Sequence, residues 1–160
     1  MGIKCQTSTR DIGEFLKKAA RLIQEYMLRA LTKLGEESIA KIRDRSARES
    51  WIDHTGNLRS SVGYTVYDYG VKYMQSSFAT VLGGSKGRSE GMRMVNELAQ
   101  EYSNVFALVV VAAMDYADKV EALDNKDVLE STRIWAQSVV EQRLNRAKEE
   151  AIKVINTWRL

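Results

Sequence analysis

The hydrophobic pattern changes its period within one short segment, and this change constrains the fold more than any other feature of the sequence. Over residues 12–48, apolar side chains recur at three- and four-residue steps, which predicts a long amphipathic helix. Over residues 61–67 they alternate, which predicts a strand. The intervening segment, with residues 52–62 reading Ile-Asp-His-Thr-Gly-Asn-Leu-Arg-Ser-Ser-Val, therefore has to turn a helix into a strand.

The residue types of this segment suit a structured connection. Asp53 and Thr55 have short polar side chains that hydrogen-bond nearby backbone, and Gly56 permits a positive φ. Leu58 is expected to be buried, whereas Asn57 and Arg59 are expected to stay exposed. The chemistry of these residues alone predicts a turn and no particular function.

The first helix is expected to begin at a capping box, Ser8-Thr9-Arg10-Asp11, and to kink at Gly35. The remaining pattern predicts further strands at residues 71–77, 105–114 and 115–121, a helix from Ser89 or Glu90 to Tyr102, and a long helix from Ser131 onward. The strand at 105–114 is continuously apolar and is expected to be buried on both faces. The sequence thus predicts a single α+β domain over residues 1–160, with a small, mostly antiparallel sheet of about four strands framed by long N- and C-terminal helices.

A glycine-rich segment, residues 83–91, contains four of the ten glycines and no apolar side chain. This composition predicts a mobile surface loop. The order of residues does not match a phosphate-binding loop. Two readings stay open: a plain connector, or a loop that becomes ordered on a partner and binds it through its cations. The candidate partner-binding residues are Gly83, Gly84, Lys86, Gly87 and Arg88.

The composition is that of an ordinary globular domain, with 44% apolar and 28% charged residues in 160. Cys5 is the only cysteine, so no intramolecular disulfide is possible and an intracellular compartment is expected. No apolar run is long enough to cross a bilayer, so we expect a soluble protein without a membrane partner. Residues 1–50 carry 11 Lys and Arg against 7 Asp and Glu, which leaves open a small DNA-associated or regulatory binding module.

Catalytic and metal-binding patterns are weak. His54 is the only histidine, and no ligand spacing surrounds it, so neither a metal nor another cofactor is expected. Asp53 and His54 with Ser60 and Ser61 have the residue types of a nucleophilic triad, but such close neighbours in sequence rarely face one another. A hydrolase is therefore the least favoured alternative, and we expect no enzymatic activity.

Two short motifs resemble a known family. The first motif is formed by Thr55, Gly56, Leu58, Arg59, Ser60, Ser61 and Val62, and the second motif by Tyr116, Ala117, Val120 and Glu121. Their order between two long helices resembles the tail-completion (neck, or minor tail) proteins of long-tailed double-stranded-DNA phages and prophages.

The resemblance implies a structural, non-enzymatic subunit. Such a subunit forms a homo-oligomeric ring between the head-side connector and the tail tube, or caps the tube end. Its expected partners are copies of itself, the connector and tail-tube proteins, with possible non-specific contact with packaged DNA. Its expected location is the virion, and the host cytoplasm during assembly.

Overall fold

A computed structural model describes residues 8–45, 51–122 and 127–158. Three strands and five α-helices are present in these ranges, with one 3₁₀ turn at Leu98–Gln100. In chain order they are α1 (Thr9–Arg43), α2 (Asn57–Ser61), β1 (Val62–Asp68), β2 (Val71–Gln75), α3 (Ser85–Glu97), β3 (Phe106–Ala112), α4 (Ala117–Glu121) and α5 (Glu130–Ile155). The predicted α+β class, with long helices near both ends, is confirmed.

The sheet is antiparallel, in the order β2-β1-β3. One face of β1 packs on α1 through its alternating apolar side chains, and α4 and the start of α5 complete that core. The other face packs on α3, where Tyr67 and Phe78 are fully buried beside Val95. The alternating side chains of residues 61–67 therefore point into two separate cores. Strand β3 contributes to both cores, as its continuous apolar run predicts.

Helix α1 begins as predicted, with the Ser8 hydroxyl accepting from the backbone N–H of Asp11 at 3.1 Å. Gly35 does not interrupt it. A Cβ at Gly35 would lie 2.5 Å from the ring of Tyr64, so this glycine permits close packing of the helix on β1. The helix ends at Arg43, before the predicted residue 48, and residues 46–50 lie outside the described ranges.

The two long helices run antiparallel. Phe15 near the start of α1 meets Trp158 just after α5, with ring centroids 5.8 Å apart. Further along the pair, Arg143 at the middle of α5 forms an ion pair with Glu37, near the end of α1, at 2.5 Å. Arg143 lowers the pKa of Glu37 through this hydrogen bond.

The helix pair extends beyond the sheet. Arg43 donates to the carbonyl of Val62 at 2.8 Å, and Gln24 donates to Asp68 at 2.6 Å, so residues 24–43 lie along β1. Residues 9–23 continue past the sheet for roughly 20 Å, at about 1.5 Å per helical residue. We call these residues, with the last turns of α5, the projecting end. No helix in the described part of the chain combines the length and apolar character needed to cross a membrane.

Two predicted elements are wrong. Residues 115–121, expected to form a fourth strand, contain helix α4, so the described residues form three strands. Ala117 is buried and Val120 half-buried on the α1 side of the sheet, and their three-residue spacing suits a helical turn. The third helix begins at Ser85, within the glycine-rich segment, instead of at Ser89 or Glu90.

Candidate functional site

The first motif contains a turn at Gly56, whose φ is 74°. The predicted positive φ is confirmed, and close packing against Val81 is a second reason for glycine at this position. A Cβ at Gly56 would lie 1.8 Å from the carbonyl oxygen of Val81. The Ser60 hydroxyl accepts from the backbone N–H of Val81 at 2.8 Å. The turn is therefore packed directly against the chain that leads into α3.

The polar side chains before Gly56 bind backbone, as predicted. Asp53 accepts from the N–H of Arg59 at 2.8 Å, and Thr55 accepts from the N–H of Asn57 at 3.3 Å. Both hydrogen bonds are donated by N–H groups in the first turn of α2, which have no partner within the helix. Leu58 is buried, also as predicted.

The prediction that Arg59 is exposed is wrong, because this residue is half-buried. Its guanidinium donates to the carbonyl of Arg43, the last residue of α1, at 2.6 Å. It also lies over the indole of Trp51, with 5.3 Å between Cζ and the ring centroid. Arg59 therefore satisfies a free carbonyl at the end of α1 and joins the first motif to that helix.

The glycine-rich segment packs on the first motif. A Cβ at Gly84 would lie 2.3 Å from the carbonyl oxygen of Gly56, and one at Gly87 would lie 1.8 Å from that of Asn57. Gly91 faces the ring of Phe78, where a Cβ would lie 2.4 Å from the nearest ring atom. Spacings of three and four residues place these glycines on one side of α3, so its backbone approaches α2 without intervening side chains.

The prediction of a mobile loop is therefore wrong for most of this segment. Ser85 to Gly91 are helical, and Gly84, Gly87 and Gly91 are buried. Asn57, expected to be exposed, is half-buried and accepts from the N–H of Gly87 at 3.1 Å. Here the glycines serve close packing, whereas composition alone indicated flexibility.

The cations of the segment point away from this junction. Lys86 and Arg88 are exposed, and neither side chain forms an ion pair within the described residues. Gly83 is also exposed, at the turn before α3. The candidate partner-binding residues are thus divided between a packed glycine face and an exposed cationic face, and partner binding stays a prediction.

The second motif caps the other long helix. The Glu121 carboxylate accepts from the N–H groups of Leu129 and Glu130, each at 2.9 Å, where α5 begins. A carboxylate at this end is favoured by both the free N–H groups and the helix dipole. Ala117 is buried beneath the motif, and Tyr116 is exposed.

An ion pair that no pattern in the sequence predicts strengthens the same end of the helix pair. Arg45, just after α1, lies 2.8 Å from Asp127, just before α5, and also donates to Ser131 and Thr132. Burial raises the pKa of Asp127, but hydrogen bonds from Ser131 and Arg45 outweigh it and lower the pKa overall. No local signal marks this pair, because its members are far apart in sequence.

The residues of the hypothetical hydrolase are not assembled. His54 is exposed, Asp53 binds the α2 backbone, and the Ser61 hydroxyl donates to the carbonyl of Leu58 at 2.8 Å. No hydrogen bond joins these side chains to one another or to Ser60 in the described ranges. Nor do His, Cys, Asp or Glu side chains there form a group of three that could hold a metal ion.

No protein-family model, curated protein or solved structure matches the chain.

Proposed function

We propose that this chain is a structural subunit of a phage or prophage virion, a tail-completion or neck protein that joins or caps the tail tube at the head-tail interface. One observation carries the proposal: both family-like motifs are used to build a joint. Arg59 of the first motif binds the end of α1, and Glu121 of the second motif binds the start of α5. Because the two helices are antiparallel, these ends lie together.

This joint lies beside the sheet, and the projecting end of the helix pair extends away from it. The projecting end carries several partly or largely exposed apolar side chains, among them Leu16, which is 60% exposed. The others are Ile12, Ile152 and Val154. Burial of such side chains between neighbouring subunits would stabilise a ring, which supports the homo-oligomer that the resemblance implies.

The exposed cations of α3 supply a second contact. Lys86 and Arg88 lie on a helix that is held rigidly by its glycines, so binding there costs little ordering of the backbone. Acidic side chains of a connector or tail-tube protein, or the phosphates of packaged DNA, would complement them.

The decisive test is complementation of a phage or prophage from which the gene has been deleted. We expect the deletion to give separate heads and tails, or tails without a completed end, in negative-stain electron micrographs, and the parent gene to restore joined particles. The proposal also requires genes for portal, major capsid or tail-tube proteins next to this one. A deletion that leaves particle yield and morphology unchanged would contradict the proposal.

A charge variant tests the α3 contact. Lys86→Glu with Arg88→Glu should leave the melting temperature nearly unchanged, because both side chains are exposed, but should reduce joined particles in the same assay. Lys119→Glu with Lys148→Glu is the matched control, since these lysines are also exposed and the charge change is equal. If both pairs complement fully, the cations of α3 bind no partner.

The alternative is a small DNA-associated or regulatory module, suggested by the basic N-terminal part of the chain. It predicts that the free subunit binds duplex DNA with an affinity that falls steeply with salt. Such binding, together with normal particle assembly in the deletion strain, would favour this alternative.

A further inference from the structure

Strand β2 forms an open edge of the sheet. Among the described residues, only β1 pairs with it, and Val71, Tyr73 and Met74 are exposed by 69%, 39% and 44%. The pairing register shifts between Val66 and Tyr67 of β1, so β2 carries one extra residue there. An edge strand offers unpaired backbone N–H and C=O groups to any further strand.

A groove runs beside this edge. It has a volume of about 460 Å³ and lies between the end of β2 and the flank of α1. The apolar part of its wall is formed by Ile39, Ala40 and Met74. Ser76 and Ser77 continue the wall beyond the strand. A strand edge next to a helix flank is the geometry in which extended peptides add to a sheet, with main-chain bonds for affinity and side-chain contacts for specificity.

The groove has an acidic rim. Glu36 and Asp44 both line it, both are exposed, and neither forms an ion pair within the described residues. Burial and, to a smaller extent, the Glu36 carboxylate raise the pKa of Tyr64 in the groove wall. The one cation of the lining, Arg43, donates into the sheet to the carbonyl of Val62.

The rise along α1 between Glu36 and Asp44 is close to that of an extended chain. Glu36 and Asp44 are eight positions apart on and just after α1, which corresponds to about 12 Å along the helix axis. Residues four apart in a strand span about 13 Å and point to the same side. Ile39 lies between Glu36 and Asp44 on α1, and Met74 lines the same groove.

We propose that this groove binds an extended segment of a partner protein, which adds as a strand to β2 and carries two basic side chains four residues apart with an apolar side chain midway. The basic side chains pair with Glu36 and Asp44, and the apolar one lies on the Ile39 and Met74 surface. This inference does not depend on the virion role, because it rests on the open edge, the groove and its charges.

The test uses a fluorescein-labelled peptide, Thr-Lys-Thr-Val-Thr-Lys-Thr, with blocked ends, titrated with the whole protein and followed by anisotropy. Glu36→Lys with Asp44→Lys should weaken binding by about tenfold or more, because two attractive pairs become repulsive. The matched control is Glu101→Lys with Asp115→Lys, which changes two exposed carboxylates and the net charge equally. The control should bind the peptide like the parent, and circular dichroism should show both variants folded.

A second measurement tests strand addition itself. N-methylation of one alternate set of peptide amides should abolish binding, whereas methylation of the other set should be tolerated, since only alternate N–H groups face β2. The proposal is overturned if the parent does not bind the peptide, if charge reversal and control behave alike, or if both methylated peptides bind. Dimerisation of the protein that the charge-reversal variant alone abolishes, without peptide binding, would also overturn it in favour of a second copy as the occupant.

Discussion

Replacing Gly87 with alanine tests whether the glycine-rich segment is a packed helix or a flexible connector. The added Cβ would lie 1.8 Å from the carbonyl oxygen of Asn57, and the contact has to open by about 1.2 Å to reach the 3.0 Å below which Cβ atoms are essentially never found. That oxygen belongs to the backbone of α2, so no side chain can rotate to relieve the contact.

The expected cost follows from three effects. Overpacking of this kind costs about 1–3 kcal/mol. Separation of α2 and α3 also weakens the hydrogen bond from Gly87 to Asn57, which is worth about 1 kcal/mol. The higher helix propensity of alanine returns about 1 kcal/mol. We therefore expect Gly87→Ala to lower the free energy of unfolding by about 1–3 kcal/mol.

Gly13→Ala is the matched control. Gly13 also lies in a helix, but a Cβ there meets nothing within 4 Å. Only the propensity effect remains, so this substitution should stabilise the protein by about 0.5–1 kcal/mol.

Urea unfolding followed by far-UV circular dichroism measures both variants. With a slope of about 2 kcal/mol per molar urea, the two midpoints should differ by roughly 1–2 M. If Gly87→Ala is as stable as the parent, or gains stability as Gly13→Ala does, the segment does not pack on α2 and is the connector that its composition indicated.

Three further predictions concern side chains at helix ends and between helices. Glu121→Ala should lower the free energy of unfolding by about 1–2 kcal/mol, because the first N–H groups of α5 lose their cap, and equal stability in urea would contradict that role. Asn57→Ala should cost about 1 kcal/mol, because it removes the acceptor of the Gly87 N–H, whereas an exposed Asn57 would cost less than about 0.5 kcal/mol. Arg143 lowers the pKa of Glu37 below its ordinary value of 4.5, so the stabilisation is present above that pH and is lost as pH falls through the lowered pKa. As pH falls below that ordinary value, the parent should therefore lose more stability than Glu37→Gln, by less than about 1 kcal/mol for a pair that is only partly buried, and parallel pH profiles would exclude this contribution.

The sequence predicted the long elements well because many residues contribute to each pattern. The start of α1 at Ser8, the strand β1 and the long helix α5 all follow from periodicity or capping chemistry that is local to the chain. The positive φ of Gly56 is local in the same sense, since the residues around it indicate a turn. Such features depend little on what lies opposite in the folded molecule.

The short or unusual segments could not be predicted in this way. Residues 115–121 are too few to distinguish a period of two from a helical period, and burial of Ala117 beside α1 decides in favour of the helix. In the glycine-rich segment, the spacing of Gly84, Gly87 and Gly91 is itself helical. This spacing indicates close packing only when the backbone of α2 is known to lie against the glycines. The pairing of Arg45 with Asp127 likewise requires the ends of α1 and α5 to be brought together first.

The polar residues in and beside the two motifs show why residue type alone did not separate structure from catalysis. A helix leaves several N–H groups free at its start and several C=O groups free at its end, and these need partners wherever the end is buried. Asp53, Arg59 and Glu121 each supply such a partner, to α2, α1 and α5 respectively. Aspartate, arginine and glutamate are also the residue types expected of an active site. Their bound atoms are backbone groups of helix ends, so replacing any of them should act first on the stability of the joint.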